Sequence, residues 1–178
     1  PGRSARPFAH SVLAVLMLSA SPALANAQGH DSHAAGAISQ PHTPNRNEGA
    51  VVSAVQDATR RFSTVTSVDG PGEGFELMFG CVSGGDYGAM GLHYVNMARV
   101  GDGEIKVAKQ KIILFEPTKD GHIHITGADF LVPVAVWEAK HPGEGPPMLM
   151  GQLFHFFESP NRFGLDPFYT LHVWAWKN

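Results

Sequence analysis

The sequence predicts an α+β domain: an N-terminal amphipathic helix packed on a mostly antiparallel, curled β-sheet or small barrel. Three observations carry this expectation. Apolar residues recur at helical intervals over residues 51–62. From Phe75 onward, short apolar runs alternate with clusters of Gly, Pro and Asp, the punctuation of strands and turns. No internal repeat interrupts that plan, and no apolar run beyond the first residues is long enough to cross a bilayer.

The chain opens on a secretory pattern. Arg3 and Arg6 supply a basic segment, Ser11 to Ala20 an apolar one, and Ser21-Pro22 breaks the helix. Ala25 and Ala27 then place small residues where a signal peptidase inspects the chain, so residues 1–27 read as a signal peptide cut between Ala27 and Gln28. A secreted or periplasmic product is expected, with no transmembrane segment in the mature chain. The whole sequence has a formal charge of −3, and loss of Arg3 and Arg6 with no acidic residue makes the mature form more acidic still. Such a balance argues against nucleic acid as a partner, because its binders carry concentrated basic surface.

Residues 28–46 are rich in His, Ser, Ala and Pro without periodicity and read as a flexible leader, with His30, His33 and His42 on a solvated tail. Residues 47–178 read as one β-rich domain. A helix is expected to begin near Asn45, which has capping-box spacing to Glu48, and to bury Val51, Val55, Ala58 and Phe62. Strands are expected over Met90–Asn96, Lys111–Glu116, His122–Thr126 running on through Ala128–Trp137, Met148–Phe157 and Phe168–Trp176. Lys119-Asp120-Gly121 marks a tight hairpin, and Ser83-Gly84-Gly85-Asp86 a turn rather than a phosphate loop. In the last strand Leu171, Val173 and Ala175 point one way, and His172, Trp174 and Trp176 the other. Both of its faces, and both faces around Phe154, are apolar enough to be covered.

Four polar residues stand inside these apolar strands: His93, Glu116, His155 and His172. A polar group on a covered face needs a partner, so each is either a bonded core residue or part of a site. His93, Glu116 and His172 form a candidate ligand set for a divalent metal such as Zn, Fe or Cu. His93, Tyr94, Phe154, His155 and Trp174 are the candidate lining of an aromatic pocket for a small molecule. His122 and His124 share a strand face as in cupin-type sites, but Asp129 is the next carboxylate and the glycine framing is absent. A solvated hairpin is expected there. Cys81 is the single cysteine, and burial is its plainest reading.

The segments Gly88–Asn96, Leu114–Pro117, Phe130–Pro133 and Leu171–Lys177, in that order, resemble a family of small exported bacterial proteins of unassigned function. The resemblance covers about residues 50–178. It implies a chain that continues past the Trp-x-Trp-Lys strand to a terminal Cys, a partner for Cys81, and hence a truncated C-terminus here. It also places His93, Glu116 and His172 within the recurring motifs, and His122, His124 and His155 outside them. No reaction follows from it. The expected function is therefore an exported small-ligand-binding protein with a His/Glu polar cluster. The alternatives are a metal-dependent enzyme using His93, Glu116 and His172, or a structural or partner-binding domain without a site.

Overall fold

The computed structural model describes residues 46–83 and 89–177. The expected signal peptide, its cleavage site, the leader up to Asn45 and the Gly84–Asp86 turn lie outside the described residues.

A helix, α1 (Arg46–Thr59), runs into a single 3-10 turn at Arg60–Phe62. Val51, Val55, Thr59 and Phe62 lie on its buried stripe, as the spacing of the apolar residues requires. The strands β1 (Glu76–Ser83) and β2 (Ala89–Val95) follow, then a single-turn helix α2 (Met97–Val100) capped by the Asn96 side chain. Next come β3 (Ile112–Pro117) and β4 (Ile123–Asp129), joined by the expected hairpin with Gly121 at φ 83°. The remainder is β5 (Val132–Pro133), helix α3 (Val134–Lys140), and the short strands β6 (Met148–Leu149), β7 (Gln152–Leu153), β8 (His155–Phe157), β9 (Phe168–Thr170) and β10 (His172–Val173).

Five strands pair antiparallel in the order β1-β2-β3-β4-β10. This sheet is open, so the barrel alternative is not realised. A second antiparallel sheet has the order β5-β9-β8, and β6 pairs with β7. The chain passes from one sheet to the other twice at the same corner. It leaves β4 through Phe130-Leu131 and returns from β9 through Leu171, and the Phe130 and Leu171 backbones bond each other at 3.1 and 3.3 Å.

One face of the large sheet packs Ile113, Phe115, Ile125 and Val173 against α1, forming the main core. The other face carries a smaller cluster of Val95, Val100, Ile112 and Leu114, flanked by Phe79, Leu131 and Trp174. Burial of both faces explains why Ile112 to Phe115 show no alternation.

Several expectations are corrected. Val134–Trp137 is helical: Pro133 supplies an extended entry, and Trp137 is buried with its Nε1 donating to the Gly145 carbonyl at 2.7 Å. The β-branched residues of this segment suggested a strand, but burial of the indole sets the local structure. The 148–157 run is three short pieces. Phe154 is buried, whereas Leu153, His155, Phe156 and Phe157 are exposed, so only one face there is covered. Trp176 does not stay on the His172 face; its Nε1 donates to Thr59 Oγ1 at 2.9 Å, on the helix side. Cys81 is exposed on the edge strand β1 rather than buried.

Candidate functional site

The second face of the large sheet holds the site. His93 on β2 is 6% exposed, and its Nδ1 lies 3.0 Å from the Gly91 carbonyl. A carbonyl only accepts, so Nδ1 carries the proton and Nε2 of the neutral ring is left as an acceptor. Gly91 adopts φ 85°, and a Cβ there would stand 2.4 Å from the Phe115 carbonyl. Glycine therefore lets β2 press against β3 at the point that orients His93.

Asp129 reaches the same face through a bulge. Phe115 pairs with Ile125 and Leu114 with Gly127, which leaves Thr126 as an extra residue in β4. Ile123 and Ile125 face the main core, yet beyond the bulge it is Ala128 that does so. Asp129 is thereby turned to the opposite face, beside Ile112 of β3 and directly across from His172 of β10. Gly127 makes room for that pairing, since a Cβ would fall 2.1 Å from the Val173 carbonyl.

Asp129 is 2% exposed. One carboxylate oxygen accepts from the Thr170 hydroxyl; the other lies 3.5 Å from His172 Nε2, too far for a good hydrogen bond. His172 Nε2 is buried without a hydrogen-bond partner. The His93 and His172 rings meet edge to face with centroids 6.0 Å apart, and Trp174 stacks on the outer side of His172 at 5.9 Å. Strands β2, β4 and β10, with β3 between the first two, thus bring two imidazoles and a carboxylate to one spot.

A cleft of about 50 Å³ opens on this group, walled by Phe79, Ile112, Phe163 and Phe168. It adjoins a second of about 190 Å³, reaching toward Val95, Met97 and Pro133, with Phe79, Ile112, Leu131, Leu165 and Phe168 common to both. Asn161 shapes the loop that carries Phe163: its Nδ2 donates to the Glu158 and Leu165 carbonyls, and its Oδ1 accepts from two backbone amides. Arg162 sits at the rim. It donates to the Ser83 carbonyl at 2.8 Å and lies 4.9 Å over the Phe163 ring.

Not all expected residues meet here. Of the metal set, His93 and His172 come together, but Glu116 is engaged elsewhere, bonded to Lys177 and 3.6 Å from His124. Among the described residues no group of three or more His, Cys, Asp or Glu side chains is arranged to hold a metal ion. Of the pocket set, His93 alone lines the cleft. Tyr94 and Phe154 lie in the main core, where the Tyr94 hydroxyl donates to the Val68 carbonyl at 2.7 Å. His155 is exposed, and Trp174 does not line the cleft but stacks on His172. His122 and His124 are exposed beside the hairpin. Asp129, Thr170 and Arg162 were not legible as site residues.

Burial pushes the His93 imidazole below the ordinary histidine range; Asp129 pulls it back up, and His172 pushes it further down. A histidine favoured as neutral in the folded state contributes stability that is whole above the ordinary pKa of about 6.5 and is lost as pH falls toward the folded value. Urea unfolding should show the stability of wild type falling relative to His93→Gln below pH 6.5, by no more than about 1.4 kcal/mol per pH unit. Parallel curves for the two proteins from pH 7.5 to 5 would contradict a neutral, buried His93.

No family model, curated protein or solved structure matches this chain.

Proposed function

We propose that the chain is an exported small-ligand-binding protein whose ligand occupies the two adjoining clefts on the second face of the large sheet. One observation carries the reading: an aromatic-walled cleft ends on a buried polar atom without a hydrogen-bond partner, His172 Nε2. Stable cores rarely leave such atoms unmatched. Binding sites do so, because the ligand completes them, and an apolar body with a few convergent polar groups is the usual composition. Asp129 takes the part that the sequence assigned to Glu116.

A thermal-shift screen with small apolar molecules tests this. Binding at 100 times Kd should stabilise the fold by about 2.7 kcal/mol. The shift should vanish in Leu131→Trp, which fills the shared wall of the clefts. If millimolar ligands move neither the melting temperature nor the amide resonances of the cleft residues, the proposal fails.

A further inference from the structure

We infer that the ligand carries an ammonium group, held between Asp129, His93 Nε2 and His172 Nε2, with its apolar body along the larger cleft. This rests on the ligand-binding reading above and names the chemical class it selects. The argument is one of unmet needs. A carboxylate that is 2% exposed receives one hydroxyl bond, and the nearer imidazole, His172 Nε2 at 3.5 Å, stands too far off to donate a good second one, so a compact donor placed between them would complete both. Among the described residues, the one lysine or arginine lining the cleft is Arg162, and it is turned to the Ser83 carbonyl and the Phe163 ring. His93 offers an acceptor at Nε2, because its other nitrogen is donating to Gly91.

An ammonium supplies what is lacking: three N–H donors and one positive charge in a compact group. A hydroxyl supplies one donor and no charge. A carboxylate supplies neither and meets Asp129 as a like charge. The walls agree with this ranking, since the aromatic rings of Phe79, Phe163 and Phe168 pack an apolar body and tolerate a cation near them. Shape agrees too. The two imidazoles and Asp129 line the smaller cleft, and the larger one continues from it over Val95, Val100 and Pro133, with the exposed Asp166 also in its lining.

The test uses three molecules of one shape, benzylamine, benzyl alcohol and benzoate, titrated at pH 7.5 with amide resonances as the readout. Benzylamine should bind at least tenfold more tightly than benzyl alcohol, with benzoate weakest. Asp129→Asn should reduce the amine preference to threefold or less. Benzyl alcohol or benzoate binding as tightly as the amine would overturn the inference and leave the ligand-binding reading standing. If none of the three perturbs the cleft, both fall. Calorimetry with zinc chloride is a separate arm: one-to-one zinc binding that is lost in His93→Gln and His172→Gln, with benzylamine inert, would overturn the amine assignment in favour of a metal. The comparison on wild type stands even if Asp129→Asn does not fold.

Discussion

Gly127→Ala should lower stability by about 3 kcal/mol and the melting temperature by roughly 10 °C. The cause is steric and has no flexible remedy, because the new methyl would stand 2.1 Å from the Val173 carbonyl, and backbone cannot swing aside. Relief requires β10 to move off β4. That strand carries His172, whose place across from Asp129 depends on two register pairs, His172 with Asp129 and Val173 with Ala128. The substitution should therefore abolish ligand binding even at temperatures where the variant remains folded. Differential scanning calorimetry and titration of the folded variant check the two effects separately. A loss of less than about 1 kcal/mol would show that β10 is not held as described.

The second large effect concerns the loop between α2 and β3. Lys111 has a fully buried side chain, and its ammonium bonds the Asp102 carboxylate and the Arg99 carbonyl. Burial pushes this amine below the ordinary lysine range, and the Asp102 carboxylate acts against that. Lys111→Ala removes the stem from the core and leaves Asp102 without its buried partner, at a cost of about 3 kcal/mol. Lys111→Met keeps the apolar stem and should recover about 1 kcal/mol. Adding Asp102→Asn to Lys111→Met should recover part of what remains, because the carboxylate has lost its closest cation and keeps only Lys109 at 3.8 Å. Urea titrations of wild type, Lys111→Met, Asp102→Asn and the double variant give the cycle, with Lys111→Ala measured beside them. Equal losses for Ala and Met would show that packing of the stem contributes nothing.

Much of the architecture was legible because it is written in local pattern. Val51, Val55 and Phe62 recur at the helical period, and their burial follows. The apolar run Ile112–Phe115 announced a strand, and Lys119-Asp120-Gly121 announced its hairpin. His93 and His172 stood out as polar residues in apolar strands, and the fold does bring them together. Glu116 stood out for the same reason, yet it is the half-buried next-to-last residue of its strand, where Lys177 reaches it.

Asp129 was not legible, and the reason is specific. Strict alternation from Ile123 and Ile125 assigns residue 129 to the main-core face. The extra residue at Thr126 reverses that assignment, and a bulge depends on pairing with β3 that no local pattern reveals. Thr170 and Arg162 share the difficulty. Each matters only through a partner far along the chain, Asp129 for one and Ser83 for the other. Strand β1 was read only as generally β-like, because Gly80 and Cys81 dilute its apolar pattern.

The corner where the chain changes sheets has a bearing on the order of assembly. Asp129 and Thr170 flank the Phe130–Leu171 backbone bridge, and His172 lies just past it, so that bridge must close before the three can meet. Contacts this distant in sequence form late, after the local β3–β4 hairpin. Trp174 is stacked on His172, so in a variant with Trp137→Phe and Trp176→Phe its fluorescence is a stopwatch for the event. Its signal should lag behind hairpin formation during refolding, marking the moment the recognition surface comes into being.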